Sequence, residues 1–127
     1  MKTNEIIGKA LDYAVAKIEY PDAEIMLDFE GFVAMVLFRS SEMGRPHLNV
    51  RRLNYSTDWA LGGPIRDREK ISLMHHDDGD VSAIAFRRQV HSIQAQTALI
   101  AIMRCYVTLH HGADIEIPKE FLGEQQC

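Results

Sequence analysis

Two cysteines, four prolines and a single tryptophan are all that this chain holds of those types, and each scarcity excludes something. Cys105 lies inside an apolar run and Cys127 is the last residue, so no disulfide between them is expected. A buried thiol and a terminal thiol suit a reducing cytoplasm. The longest apolar windows, Val33 to Phe38 and Ala98 to Met103, fall far short of the roughly 20 residues of a membrane span. Met1 to Glu5 also lacks the apolar core of a signal peptide. A soluble protein with no membrane partner is the expectation. No Gly-x-Ser-x-Gly, Walker loop, dinucleotide fingerprint or zinc-protease helix occurs, so neither enzymatic activity nor a cofactor is predicted. Basic residues are outnumbered as well: 14 Lys plus Arg against 18 Asp plus Glu give a net charge of -4. That balance argues against broad attraction to nucleic-acid phosphates.

What is present is an ordinary globular composition, 46% apolar and 25% charged over 127 residues, enough for one domain with its own core. Residues 1–122 are read as that domain and 123–127 as a flexible tail. Thr3 or Asn4 can cap a first helix, which must stop by Tyr20 because Pro21 follows. Its apolar stripe is Ile7, Leu11, Ala14, Val15 and Ile18, with Lys9, Asp12 and Lys17 pointing elsewhere. Glu24 to Phe29 and Phe32 to Arg39 read as two antiparallel strands joined at Glu30-Gly31, with a loop from Ser40 to Pro46 and a third strand from His47 to Leu53. Trp59 to Leu61 reads as a helical turn, with Ile65 to Glu69 continuing it beyond Pro64. Ile71 to Met74 and Val81 to Arg88 form a second hairpin about Asp78-Gly79. The strongest helix ends at His111, capped by Gly112, and starts between Ser92 and Thr97. Ile115 to Pro118 and a last turn at Phe121 and Leu122 follow. This order predicts an α+β fold, an antiparallel β-sheet covered by two amphipathic helices in an α/β/α sandwich.

Three groups of residues invite chemistry. His75-His76-Asp77-Asp78 has the composition of a metal cluster, but adjacent residues of a strand point to opposite faces, so a solvated turn is expected and no metal site. Cys105 has apolar neighbours that raise a thiol pKa and leave it inert. The third group is Tyr55-Ser56-Thr57-Asp58-Trp59-Ala60-Leu61-Gly62-Gly63-Pro64. Ser56, Thr57 and Asp58 offer helix-capping oxygens, and Gly62 and Gly63 allow backbone amides to approach an anion. The stretch is therefore either a structural corner or a recognition loop. Arg104, alone in the apolar Leu99 to Val107 run, needs an anionic partner: a carboxylate such as Asp58 or a ligand phosphate. In the second case Tyr55 or Trp59 stacks on a base, and Gly62, Gly63, Arg66 and Arg104 meet phosphate. Ser56, Thr57 and Asp58 then take ribose or base edges.

Lys9-Ala10-Leu11-Asp12-Tyr13-Ala14-Val15-Ala16-Lys17, the Tyr55 to Ile65 block with Ile71-Ser72-Leu73, Met103-Arg104-Cys105-Tyr106-Val107 and Ile117-Pro118 together resemble the NinX-like family of small tailed-phage proteins of unknown function. Glu24 to Val50 departs from that pattern with an extra hairpin, as does Leu61 where the family carries Gln. The Tyr-Ser-Thr-Asp block is also similar to phage α/β/α-sandwich domains. The resemblance implies a phage accessory protein in the cytoplasm of the infected host and transfers no catalytic residues. Small phage proteins of comparable architecture act as sponges for nucleotide immune signals, which suggests a small anionic or nucleotide ligand for this chain. A module that binds and inhibits a host protein is the alternative, and an enzyme of nucleotide metabolism the second. Strongly apolar strands also suggest a homo-oligomer.

Overall fold

A computed structural model describes residues 1–42, 44–87 and 89–122, and statements below about what is absent concern these residues. Helix α1, Gly8–Glu19, buries Leu11, Ala14 and Val15 and stops at Tyr20 before Pro21. It begins later than the caps at Thr3 and Asn4 suggest, for a tertiary reason. Thr3 is buried and donates its hydroxyl to the Gly112 carbonyl at 2.7 Å, while Lys2 bridges Asp114. The N-terminal segment is thus fastened to the far end of the chain and is not free to coil.

The first sheet holds β1 (Ile25–Leu27), β2 (Val33–Glu42) and β3 (Arg45–Arg52), antiparallel with β2 central. Asp28 makes the first turn, accepting the amides of Glu30 at 2.9 Å and Phe32 at 3.0 Å, while Gly31 takes the positive φ of +85°. The expected loop from Ser40 to Pro46 is mostly strand, since Ser40, Ser41 and Glu42 pair with His47, Pro46 and Arg45. Met43 lies outside the described residues. β1 reaches only Val33 to Met35, so the distal part of the β2–β3 ribbon has no third strand.

Helix α2, Trp59–Glu69, runs without a break through Gly62-Gly63-Pro64, where the sequence suggests a stop. Pro64 removes a single ladder bond near the start, and the helix ends at Lys70 in the left-handed conformation. The second sheet contains β4 (Ser72–His75), β5 (Val81–Arg87) and β6 (Gln89–Ala95), with β5 central. Helix α3, Ala98–His111, starts with the Thr97 side chain accepting the Ile100 amide at 3.2 Å. A 3₁₀ turn at Lys119–Phe121 sets Phe121 against Tyr13, ring centroids 4.4 Å apart.

The fold class is α+β, as expected, with two three-stranded antiparallel sheets in place of one. α1 packs on the first sheet, α3 on the second, and α3 on both other helices, so sheets and helices stack as layers of a sandwich. Leu11, Val15, Ile102, Met103 and Val107 are wholly buried between them. No helix among the described residues is long and apolar enough to cross a membrane.

Candidate functional site

The first residues of α1 and the corner before α2 face each other across a cleft of about 260 Å³. Gly8, Lys9 and Asp12 form one wall, Asn54, Ser56 and Thr57 the other, and the Glu30-Gly31-Phe32 turn closes an end. A buried polar contact fixes the two walls: the Asp12 carboxylate accepts the Ser56 amide at 2.7 Å. Asp12 therefore points inward, not away from the core as helix periodicity suggests, because a buried amide 44 positions away needs an acceptor. On the same wall Asn54 donates to the Thr57 hydroxyl at 3.2 Å, and the Thr57 and Asp58 amides return to the Asn54 carbonyl.

The electrostatics are mixed and informative. Ile7 offers α1 no side-chain cap, and Gly8 and Lys9, the first two residues of the helix at the positive end of its dipole, line the cleft. The Lys9 ammonium lies above Gly31, 3.6 Å from where a Cβ would stand, and has no carboxylate in ion-pair range among the described residues. Both acids of the wall are engaged, Asp12 by Ser56 and Glu30 by the Arg52 guanidinium at 3.1 Å. Arg52 also binds Asp28 and covers the Phe32 ring at 4.0 Å, which accounts for an arginine on the apolar side of an edge strand.

Of the residues singled out by sequence, only Ser56 and Thr57 line this cleft. Tyr55 is 3% exposed and points into the core, so it cannot stack on a base; burial pushes its hydroxyl pKa well up. Asp58 caps α2, accepting the Ala60 amide at 2.9 Å. Trp59, the first residue of that helix, is 49% exposed. Gly62 is a packing glycine, since a Cβ there would lie 2.6 Å from the Leu99 side chain, whereas a Cβ at Gly63 would meet open space. Neither forms an anion-binding loop, because both are inside a helix. Arg66 donates to the Ile71 carbonyl at 3.1 Å and ties down the end of α2.

Arg104 neither pairs with Asp58 nor faces a cavity. It is 8% exposed and reaches three carbonyls, Nε to Ile6 at 2.8 Å, Nη1 to Gln94 at 3.1 Å and Nη2 to Glu5 at 3.4 Å. Burial lowers its pKa, partly offset by the charge of Glu5. Each of the three guanidinium nitrogens of Arg104 thus already bonds a backbone carbonyl, which accounts for its burial without a phosphate.

A second polar cluster went unforeseen. Arg68 grips Glu19 with two bonds of 2.8 and 3.1 Å, and both groups bond the Tyr106 hydroxyl, so the ends of α1 and α2 are locked to α3. Glu19 is raised by burial, but hydrogen bonds from Arg68 and Tyr106 and the Arg68 charge outweigh this and lower its pKa. Burial and the bond to Glu19 raise that of Tyr106. Burial lifts the Cys105 thiol to about 11, which keeps it inert as expected. In the His75–Asp80 turn, His76 Nε2 lies 2.7 Å from the Ser82 hydroxyl, and no group of three potential ligands for a metal occurs among the described residues.

Lys9, Asp12 and Asn54 are among the cleft residues that sequence reasoning missed. The signal was there, since Lys9 and Asp12 belong to the first block of the family resemblance and Ser56 and Thr57 to the second, and the fold brings the blocks together. No curated protein matches the chain. The family model described as Bacteriophage P22, NinX matches residues 2–110, and the protein belongs to that phage family.

Proposed function

We propose that this phage accessory protein binds a small anionic ligand in the α1–corner cleft and holds it without chemical turnover. The observation that carries the reading is the meeting of Lys9 with the Ser56-Thr57 corner in one cleft. An ammonium with no ion pair among the described residues, the start of a 12-residue helix without a side-chain cap and a wall of hydroxyl and amide groups suit a phosphate or carboxylate. The volume fits an anionic group with its adjoining sugar or chain, and the rest of a larger ligand extends over the open rim. A nucleotide-type signal of bacterial immunity, sequestered in stoichiometric amounts, is the ligand class that agrees with a phage protein carrying such a site.

Isothermal titration with cyclic dinucleotides, cyclic ADP-ribose isomers and inorganic phosphate tests this. At least one compound gives one-site binding that Lys9→Ala weakens about tenfold or more, the usual scale for losing a charge-assisted contact. The bound compound is recovered intact after denaturing the protein. No heat from any compound, or binding indifferent to Lys9→Ala, rejects the cleft as the site. Recovery of an altered compound rejects the non-enzymatic part.

A further inference from the structure

The turn between β1 and β2 closes one end of the cleft and contributes the aromatic residue of its lining, Phe32. This turn is braced from two directions. From within, the Asp28 carboxylate accepts the amides of Glu30 and Phe32. From β3, Arg52 binds Asp28 and Glu30, each at 3.1 Å, and lays its guanidinium over the Phe32 ring at 4.0 Å. The guanidinium takes one face of the ring. Phe32 is still 36% exposed and borders the cleft, so the opposite face and the edge are what it offers to a ligand. Core packing does not account for an aromatic ring here, because among the described residues the apolar core forms without Phe32.

The position of the ring relative to Lys9 limits what such a ligand is. The Lys9 ammonium lies over Gly31, next in the chain to Phe32, and adjacent Cα atoms are about 3.8 Å apart. An anion held by Lys9 and a ring lying on Phe32 thus belong to one small molecule. We propose that Phe32 is the specificity-determining residue of the cleft and stacks on a planar aromatic ring joined to the anion by a short linker, the layout of a nucleoside monophosphate unit. The inference rests on the reading of the cleft as an anion site and adds what the ligand carries beyond the anion. Stacking on an aromatic side chain tolerates any base, so Phe32 selects a nucleotide over a sugar phosphate and does not choose among bases. A rigid platform suits this role, because a ring already fixed by Arg52 has little freedom left to lose on binding.

Isothermal titration with adenosine 5′-monophosphate and ribose 5-phosphate is the test, since the two probes share the anion and the sugar and differ only in the ring. The wild type binds the nucleotide about tenfold or more tightly than the sugar phosphate, the scale of one base stacked on one aromatic side chain. Phe32→Leu removes that advantage and leaves ribose 5-phosphate within about twofold of wild type, whereas Phe32→Tyr retains it. Lys9→Ala weakens both probes. Phe29→Ala changes neither, because Phe29 is fully exposed on the same turn but does not line the cleft. Proton spectra of the bound nucleotide add a readout that a merely structural role does not move: the base protons shift upfield over the Phe32 ring, and the shift disappears in Phe32→Leu. Equal affinity for the two probes, or an equal loss of both in Phe32→Leu, overturns the platform; if Lys9→Ala still weakens both, the anion site stands without it. Failure of the nucleotide to bind overturns the platform as well, and inorganic phosphate then decides the anion site separately.

Discussion

Replacing Arg104 by Met separates a structural from a ligand-binding role for that residue. Methionine keeps the buried stem but leaves the carbonyls of Ile6, Gln94 and Glu5 without their shared donor. Hydrogen bonds to a charged group contribute about 1.5–3 kcal/mol each in favourable geometry, and the 3.4 Å contact to Glu5 falls well below that range. Removing the guanidinium also relieves the desolvation that lowers its pKa, which offsets part of the loss. A net cost of about 3 kcal/mol follows. With a urea m-value of about 2 kcal/mol per molar, the unfolding midpoint falls by about 1.5 M. Lysine at the same position keeps the charge but cannot span three acceptors, so Arg104→Lys falls between wild type and Met. Ligand affinity of the folded fraction stays within about twofold, because Arg104 is not in the cleft. A stability loss under about 1 kcal/mol for Arg104→Met, typical of an uninvolved surface site, would refute the three-carbonyl brace. Lost binding at full stability would return Arg104 to the ligand.

The two adjacent glycines of α2 give a paired prediction. Gly63→Ala adds a methyl to open space, but a Cβ on the residue before Pro64 disfavours helical geometry, so the gain of an interior alanine is largely cancelled and stability changes by under about 0.5 kcal/mol, whereas Gly62→Ala pushes on Leu99 and ends at least about 1 kcal/mol below it in thermal melts. Equal melting temperatures for the two variants contradict close packing of α2 on α3. The Glu19 carboxyl, held below its ordinary value of 4.5, contributes stability that is present above that value and is lost as pH falls through its folded pKa. Glu19→Gln therefore flattens the acid limb of the stability–pH curve, and an unchanged acid limb in chemical denaturation at stepped pH rules the clamp out.

Periodicity makes α1, α3 and the two hairpins legible in the sequence, because each buries one regular stripe or face. β6 is not legible. Its His91-Ser92-Ile93-Gln94-Ala95 run has Ile93 as its one large apolar side chain, Ala and Gln are good helix formers, and Arg87-Arg88-Gln89 carries no turn signal. The run reads as the approach to α3. It becomes a strand because β5 offers a free edge and α3 packs across both. α2 hides for the opposite reason: glycine and proline discourage a helix locally, yet Gly62 is what lets α2 approach Leu99 and Met103. Arg104 was legible as an anomaly but not in its role, since its partners are backbone carbonyls, two of them 98 and 99 positions away and the third 10, and carbonyls leave no mark in the sequence.

The corner from Tyr55 to Pro64 then divides by what packing explains. Tyr55 is core, Asp58 is a cap, Gly62 is a close approach, and the Ser56 amide needs Asp12 as acceptor. Folding accounts for all four without a ligand. The same is true of Arg104 and Tyr106 in the third block. What folding leaves over is Lys9, whose ammonium bonds nothing among the described residues, and the exposed Thr57 opposite it. An ammonium kept beside an uncapped helix start contributes little to stability, because the like-signed end of the dipole disfavours a cation there. An anion placed between them reverses that sign and makes both favourable. The Lys9 ammonium, left without a bond among the described residues in the cleft that the helix start also lines, is the physical argument for the proposed anion.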